Sequence, residues 1–403
     1  GGRLVTMLAV VAPGQGAQSP GLLTAWLDVD GVAAHLDWLS AVADLDLTTH
    51  GTTSDEATIR DTAVAQPLLV ASGLLALGAL DGEDSGVRRA SDVAGHSVGE
   101  VTASAAAGVL SEEQAMVLVR ERGRAMAHAA ARTETGMTAL LGGDADEVGT
   151  VLERHGLTAA NVNGSGQVVA AGTVEQLAAL AADPPNRARL RPLSVAGAFH
   201  TAHMSPAQAH LSRLAAGMGP RDPGPRLLSN RDGAVVTSGS DMLERLVAQV
   251  STPVRWDMCM QTLAQMGVTG LLELPPAGTL TGLARRGLPG VATFALSTPD
   301  QLDDARAFVA EHAAPAVHAH PDPAWRLVVA PIKGTVSTVA HAVGSALSPG
   351  AIVGHVRSLR DAWEVVTPHG GRVLEWLVED GDPVSPGQPL LRLHPTEDSE
   401  AAA

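Results

Sequence analysis

At 403 residues with a formal net charge of -16, the chain exceeds one typical domain, and its charge argues against nucleic acid or an anionic membrane as main partner. Hydrophobic residues make up 45% and charged residues 17%, enough core for two or three soluble globular domains. A single cysteine, Cys259, excludes internal disulfides, and the start Gly1-Gly2-Arg3 lacks the pattern of a signal peptide, so a cytoplasmic setting is expected.

Val5 to Ala12 is a continuous apolar run, the pattern of a buried strand. It ends in Pro13-Gly14-Gln15-Gly16-Ala17-Gln18, which fails as a dinucleotide fingerprint because Ser19 stands where the third glycine belongs. The glycines still allow backbone N–H groups to approach a reacting oxygen. Ala63 to Leu80 is the longest apolar stretch; Gln66-Pro67 interrupts it and no cations flank it, so it reads as a buried helix beginning near Pro67. Asp92 to Ala94 is a short strand leading into Gly95-His96-Ser97-Val98-Gly99, and Glu100 to Val109 reads as a helix leading out. Strand, sharp turn and helix is the context in which the serine of Gly-x-Ser-x-Gly becomes a nucleophile. Ser111-Glu112-Glu113-Gln114 then opens a helix carrying Arg120, Arg122 and Arg124.

From Gly136 the periodicity changes. Strand-like 136–141, helical 144–155, strands at 158–163 and 167–171, helical 174–182 and a strand at 189–195 give the order βαββαβ, a ferredoxin-like unit. Ala198-Phe199-His200 returns the chain to the larger domain, which continues with a helix over 241–250 and a strand over 270–274. Beyond Pro299 the pattern reads as a linker rich in proline, alanine and histidine; His312, His318 and His320 have no acidic or cysteine ligands in register, so no metal is expected there. After Trp325 an internal repeat begins: Pro331, Gly334, Val336, Gly344 and Ser348-Pro349-Gly350 recur 37 positions on as Pro368, Gly371, Val373, Gly381 and Ser385-Pro386-Gly387. Two such copies predict a small quasi-symmetric β-sandwich.

The loop Gly14 to Gln18, the pentapeptide with Glu100, Arg122-Gly123, and Gly197-Ala198-Phe199-His200 occur in one order, with Gln66-Pro67, Asn161-x-Asn163, Gln167-Val168-Val169, Gln249 and Pro253-Val254-Arg255-Trp256 between and after them. Over residues 5 to 298 this resembles the malonyl-CoA:acyl carrier protein transacylases. The resemblance implies an α/β fold: an α/β-hydrolase-like acyltransferase core with an inserted ferredoxin-like subdomain. It implies Ser97 as nucleophile and His200 as its base, since a serine hydroxyl attacks only when a neighbouring imidazole takes its proton. It further implies an oxyanion hole from the backbone N–H groups of Gln15 and Val98, Gln249 as the residue orienting the imidazole, and Arg122 as the anchor for the substrate carboxylate. A planar guanidinium offers a carboxylate two parallel donors, which lysine cannot. Phe199 and Asn161 are expected in the substrate pocket, with Phe199 favouring malonyl over methylmalonyl groups. Arg187, Arg189 and Arg191, alternating along a strand, and Arg285-Arg286 are candidates for the surface that meets coenzyme A and the carrier protein.

The expected reaction is ping-pong transfer of malonyl from malonyl-CoA through an acyl-serine to the phosphopantetheine thiol of an acyl carrier protein, in fatty-acid or polyketide synthesis. An editing acyl hydrolase on the same fold and a scaffold recruiting a carboxylase or synthase are the alternatives; Arg122 weighs against the first and the intact Ser97, His200, Arg122 and Gln249 against the second. The C-terminal repeat resembles a biotinyl or lipoyl carrier domain, an all-β hammerhead in which a lysine sits at the hairpin tip. Here Ser358-Leu359-Arg360-Asp361 occupies that place, and arginine is not acylated, so Arg360 carries no biotin. Lys333, the chain's only lysine, is placed in the first repeat away from the tip. The expected domains are 1–300 for the transferase, with its small subdomain at about 134–196, a linker at 301–324, the biotinyl-like domain at 325–395 and a tail at 396–403. No bound cofactor and no metal are expected. Besides the carrier protein and the coenzyme A thioester, a carboxylase or ketosynthase is a candidate partner of the C-terminal domain.

Overall fold

The computed structural model describes residues 6–80, 90–195, 197–313, 326–359, 361–367 and 370–394, which divide into two compact units at Pro315/Ala316. The first unit is built on a six-stranded sheet in the order 292–295, 270–273, 8–12, 92–95, 226–228, 235–236, parallel except for its last pair. Every residue of the strand Leu8–Ala12 is buried. Leu8, Val10 and Ala12 face one hydrophobic cluster while Ala9 and Val11 face another, because a parallel sheet is covered on both sides. That double burial is why the strand reads as an unbroken apolar run.

The long apolar helix spans Thr62–Leu80, so it starts before Pro67 and carries the proline within its second turn. It is long and apolar enough to cross a membrane, but most of it is buried in the first unit's core. The insertion follows the expected order: strand Thr135–Gly142, helix Ala145–Arg154, strands Thr158–Gly164 and Gln167–Thr173, helix Val174–Ala182, strand Ala188–Pro192. Its sheet order is 188–192, 135–142, 167–173, 158–164, antiparallel throughout. The short strand Val254–Arg255 then joins in parallel beside Asn161 and Val162, fastening the insertion to the main body. Two helix starts are legible in single residues: Ser111 with Gln114 and Thr173 with Gln176 form reciprocal capping boxes.

The stretch read as the beginning of a linker is instead a helix, Leu302–His312. Leu302, Ala305, Val309 and His312 are buried along one face, and the His312 ring packs 4.5 Å from that of Phe308 while Nδ1 lies 3.2 Å from Thr269 Oγ1. His312 therefore belongs to the core of the first unit; His318 and His320 lie outside the described residues.

The second unit is an all-β sandwich of two four-stranded sheets, ordered 326–329, 389–394, 371–376, 346–347 and 362–366, 352–357, 334–338, 383–384. Adding 37 to the first copy's strands 334–338, 346–347 and 352–357 lands on those of the second, and it carries the first sheet's order onto the other's. Even the turn glycines agree, Gly344 and Gly381 having φ of 91° and 92°, and Gly350 and Gly387 80° and 79°. Lys333 is closer to the hairpin end than its sequence position suggests, since it lines a cavity of about 610 Å³ together with Arg357, Ser358, Leu359 and Asp361. Arg360 itself lies outside the described residues.

Candidate active site

Three adjacent parallel strands end side by side, and the site forms beyond their carboxyl ends, the usual binding edge of an open α/β sheet. The strand 8–12 delivers the Gln15 loop, 92–95 delivers Ser97, and 226–228 delivers Asn230. Ser97 has a φ of +53°, a left-handed conformation that costs a side-chain-bearing residue roughly 1–2 kcal/mol, and the helix Gly99–Ala106 starts two residues later. The turn tolerates no bulk. A Cβ on Gly95 would lie 2.1 Å from the Gly99 carbonyl, and one on Gly99 would lie 2.2 Å from the Ala12 carbonyl oxygen. Because these obstacles are backbone atoms, Gly99→Ala should destabilise the first unit by about 3 kcal/mol. Chemical denaturation would show it as a lowered midpoint.

Ser97 Oγ lies 2.7 Å from His200 Nε2. His200 also has a left-handed φ, +60°, and its Nδ1 is 2.7 Å from the backbone carbonyl of Gln249, the last residue of the helix Gly239–Gln249. A carbonyl can only accept, so the proton sits on Nδ1 and the Nε2 lone pair faces the serine. Burial, with the Arg122 charge adding to it, pushes the imidazole's pKa down to about 3, so it stands as the neutral base at any ordinary pH. The orienting role assigned to Gln249 thus falls to its main chain.

The Gln249 side chain does something else. Its Oε1 accepts from Arg122 NH2 at 2.8 Å, and the two N–H bonds of its Nε2 are shared among Glu100 Oε2, the closest acceptor, Ser97 O at 3.1 Å and Asn230 Oδ1 at 3.1 Å. Arg122 comes from the helix Glu112–Ala130 and is 2% exposed; NH1 donates to Gln66 Oε1 at 2.6 Å, while buried Nε has no partner among the described residues. Arg120 and Arg124 on the same helix pair with Glu121, and Arg124 also with Asp44, which separates them in role from Arg122. Asn230 grips the turn from both sides: its Oδ1 accepts the Ser97 N–H at 2.8 Å and its Nδ2 donates to Gly95 O at 2.7 Å. The Ser97 N–H is therefore engaged, whereas the N–H groups of Gln15 and Val98 have no partner among the described residues, as oxyanion donors require. The Gln15 loop abuts the turn, since a Cβ on Gly14 would lie 2.8 Å from the His96 carbonyl oxygen.

Phe199 is buried in the main core beside His200. Asn161 stands at a bulge in its strand with a buried Oδ1 that has no partner among the described residues. His96 packs beside the turn, its Nε2 2.8 Å from Asn163 Oδ1 and its ring 5.7 Å from that of Trp256. Arg189 and Arg191 are exposed on an edge strand and share a face, but Arg187 precedes the strand with a φ of +60° and does not continue their alternation. Neither Asn230 nor Glu100 is singled out by sequence reasoning as a site residue. The signal available is position: Ser229-Asn230 closes the parallel strand next to the one bearing Ser97.

The acyl transferase domain family matches residues 10–312. The malonyl CoA-acyl carrier protein transacylase of Mycobacterium tuberculosis H37Rv is 49% identical over 74% of this chain and 99% of its own length, and that of Bacillus subtilis 31% identical over 74% and 96%. The crystal structure of the Mycobacterium tuberculosis protein superposes with a TM-score of 0.72 at 48% identity, covering 74% of this chain and 99% of that one. A malonyl-transacylase solved in complex with a type II polyketide acyl-carrier protein superposes with a TM-score of 0.70 at 29% identity, over 75% and 99%. By its fold, by a serine and histidine in contact over a glycine-lined turn, and by these relatives, the chain belongs to the malonyl CoA-acyl carrier protein transacylase family of acyl transferases.

Proposed function

We propose that the first unit transfers a malonyl group from malonyl-CoA to the phosphopantetheine thiol of an acyl carrier protein. The observation that carries the specificity is the buried Arg122, whose NH1 and NH2 are held by Gln66 and Gln249 while its Nε keeps no partner among the described residues. Ser97 Oγ attacks the thioester carbonyl as His200 Nε2 takes its proton, and the oxyanion develops toward the Gln15 and Val98 N–H groups. Collapse expels coenzyme A, to which His200 returns the proton; the carrier thiol then attacks the malonyl-serine by the same route in reverse. Phe199 and Asn161 are assigned to the acyl pocket, and Arg189, Arg191, Arg285 and Arg286 to the surface that meets anionic coenzyme A and carrier protein.

The second unit is assigned as a biotinyl-like module that carries no cofactor, supported by the interleaved repeat and by arginine at position 360. It would serve docking, with an acyl-CoA carboxylase or ketosynthase as the partner. Intact mass spectrometry tests both parts. Malonyl-CoA should add one malonyl group to the native chain and none to Ser97→Ala, holo carrier protein should remove it, and no biotin adduct should accompany the purified protein. Release as free malonate alone would overturn transfer, and a biotin adduct would overturn the reading of the second unit.

A further inference from the structure

Glu100 is a buried carboxylate that the transfer chemistry leaves without a task. It follows Ser97 by three residues on the helix Gly99–Ala106 and is 1% exposed. Oε1 accepts the Asn230 N–H and Oε2 accepts Gln249 Nε2, whose amide oxygen in turn accepts Arg122 NH2. One side-chain amide thus stands between the carboxylate and the guanidinium. An anion at Glu100 fixes the amide's direction, nitrogen toward the acid and oxygen toward Arg122.

The charges facing Glu100 are few. Arg122 acts on it from the helix Glu112–Ala130, and Arg245 from the helix Gly239–Gln249. Arg245 is already matched by Asp232 at 2.9 Å and Asp241 at 3.0 Å. From the helix Trp256–Gln265, Cys259 lies in the same surroundings, and burial raises its thiol pKa so that it stays uncharged. His200 is held neutral. Once Glu100 is ionised, neutrality in this pocket therefore rests on Arg122 and Glu100. A substrate carboxylate arriving at Arg122 while Glu100 is ionised makes two buried anions against one buried cation, an imbalance that a dry interior strongly disfavours.

Resting on the malonyl reading above, we propose that Glu100, when ionised, is the counter-charge of Arg122 and surrenders that part to the substrate's carboxylate by taking one proton from solvent as the malonyl group binds. The balance is closed: the Glu100 carboxylate and a solvent proton become the neutral acid, and the malonyl carboxylate supplies the negative charge. Glu100 is placed to do this, because desolvation, opposed by its hydrogen bonds and by Arg122, lifts its pKa to about 8. It is a positioning residue and touches no reacting atom.

The test uses the full chain as Ser97→Ala, which binds without reacting, titrated calorimetrically with malonyl-CoA in two buffers of different ionisation enthalpy at pH 7 and pH 9. Acetyl-CoA, with the same coenzyme and no carboxylate, is the control. Malonyl-CoA should take up close to one proton more than acetyl-CoA at pH 9 and only a small fraction at pH 7, and its Kd should weaken about tenfold across that range. Adding Glu100→Gln should abolish both the extra uptake and the pH dependence of Kd, whereas a merely structural role would leave the uptake untouched. Equal proton uptake for the two thioesters at pH 9 would overturn the proposal without any substitution at Glu100. Failure of the malonyl reading shows separately, as absence of a malonyl adduct on the native chain.

Discussion

His200→Ala should lower the rate of malonyl-serine formation by about 10²–10⁴-fold, the range spanned by a positioned general base. The KM for malonyl-CoA should change far less, because the imidazole bonds the nucleophile and the Gln249 main chain, whereas Arg122 is held by the Gln66 and Gln249 side chains. The native enzyme's pH profile carries a second expectation. In the folded chain the imidazole titrates near 3, well below the free-histidine value of 6.5 from which burial displaces it. The loading rate should therefore show no fall between pH 7.5 and 5.5, where an exposed histidine would be losing its lone pair. The stability consequence has the opposite character. Between about 6.5 and 3 the unfolded chain binds a proton at this position that the folded chain refuses, so the contribution of His200 to stability declines as pH falls through that window. Stopped-flow release of coenzyme A and denaturation midpoints across that range check the two halves independently.

Arg122→Ala should cost malonyl-CoA about 3 kcal/mol in kcat/KM, on the order of 100-fold, which is the usual toll of removing one partner from a buried, hydrogen-bonded charge pair. Acetyl-CoA has no carboxylate to lose, so the preference between the two thioesters should collapse by nearly the same factor. Arg122→Lys should recover little of it. An ammonium restores the charge but cannot reach Gln66 and Gln249 through separate nitrogens and still present a free donor to the substrate. Parallel kcat/KM measurements on both thioesters for the three proteins decide this. Equal losses for malonyl-CoA and acetyl-CoA would mean that Arg122 supports the pocket and does not read the substrate.

What the sequence made legible follows from where each piece of information is stored. Ser97, His200 and Arg122 sit in short local signatures, so three residues that meet only in the folded chain can still be named from it. The inserted subdomain was readable because its elements carry strong periodicity and one helix opens with a capping box, Thr173 with Gln176. Asn230 and Glu100 have no such local mark. They matter because the ends of neighbouring strands are adjacent, which is a property of sheet order, and Asn230 reaches across it to Gly95 and Ser97. For Gln249 the sequence points to the residue and not to the group, because a residue name does not say whether its main chain or its side chain makes the contact. The helix 302–312 did leave a trace, apolar or buried positions at Leu302, Ala305 and Val309, but the proline-rich sequence beyond it overshadowed that spacing.

The interleaved strands of the second unit also constrain how it comes into being. Each sheet takes two strands from the first 37-residue copy and two from the second, so neither copy owns a complete sheet or a closed core. Half of this unit is consequently not half of a structure. Two of its pairings join strands far apart in the chain, 326–329 with 389–394 and 334–338 with 383–384, so the sheets close only when both copies are in place. A duplicated sequence has here become an indivisible one: its symmetry can be read copy by copy, but its stability belongs only to the pair.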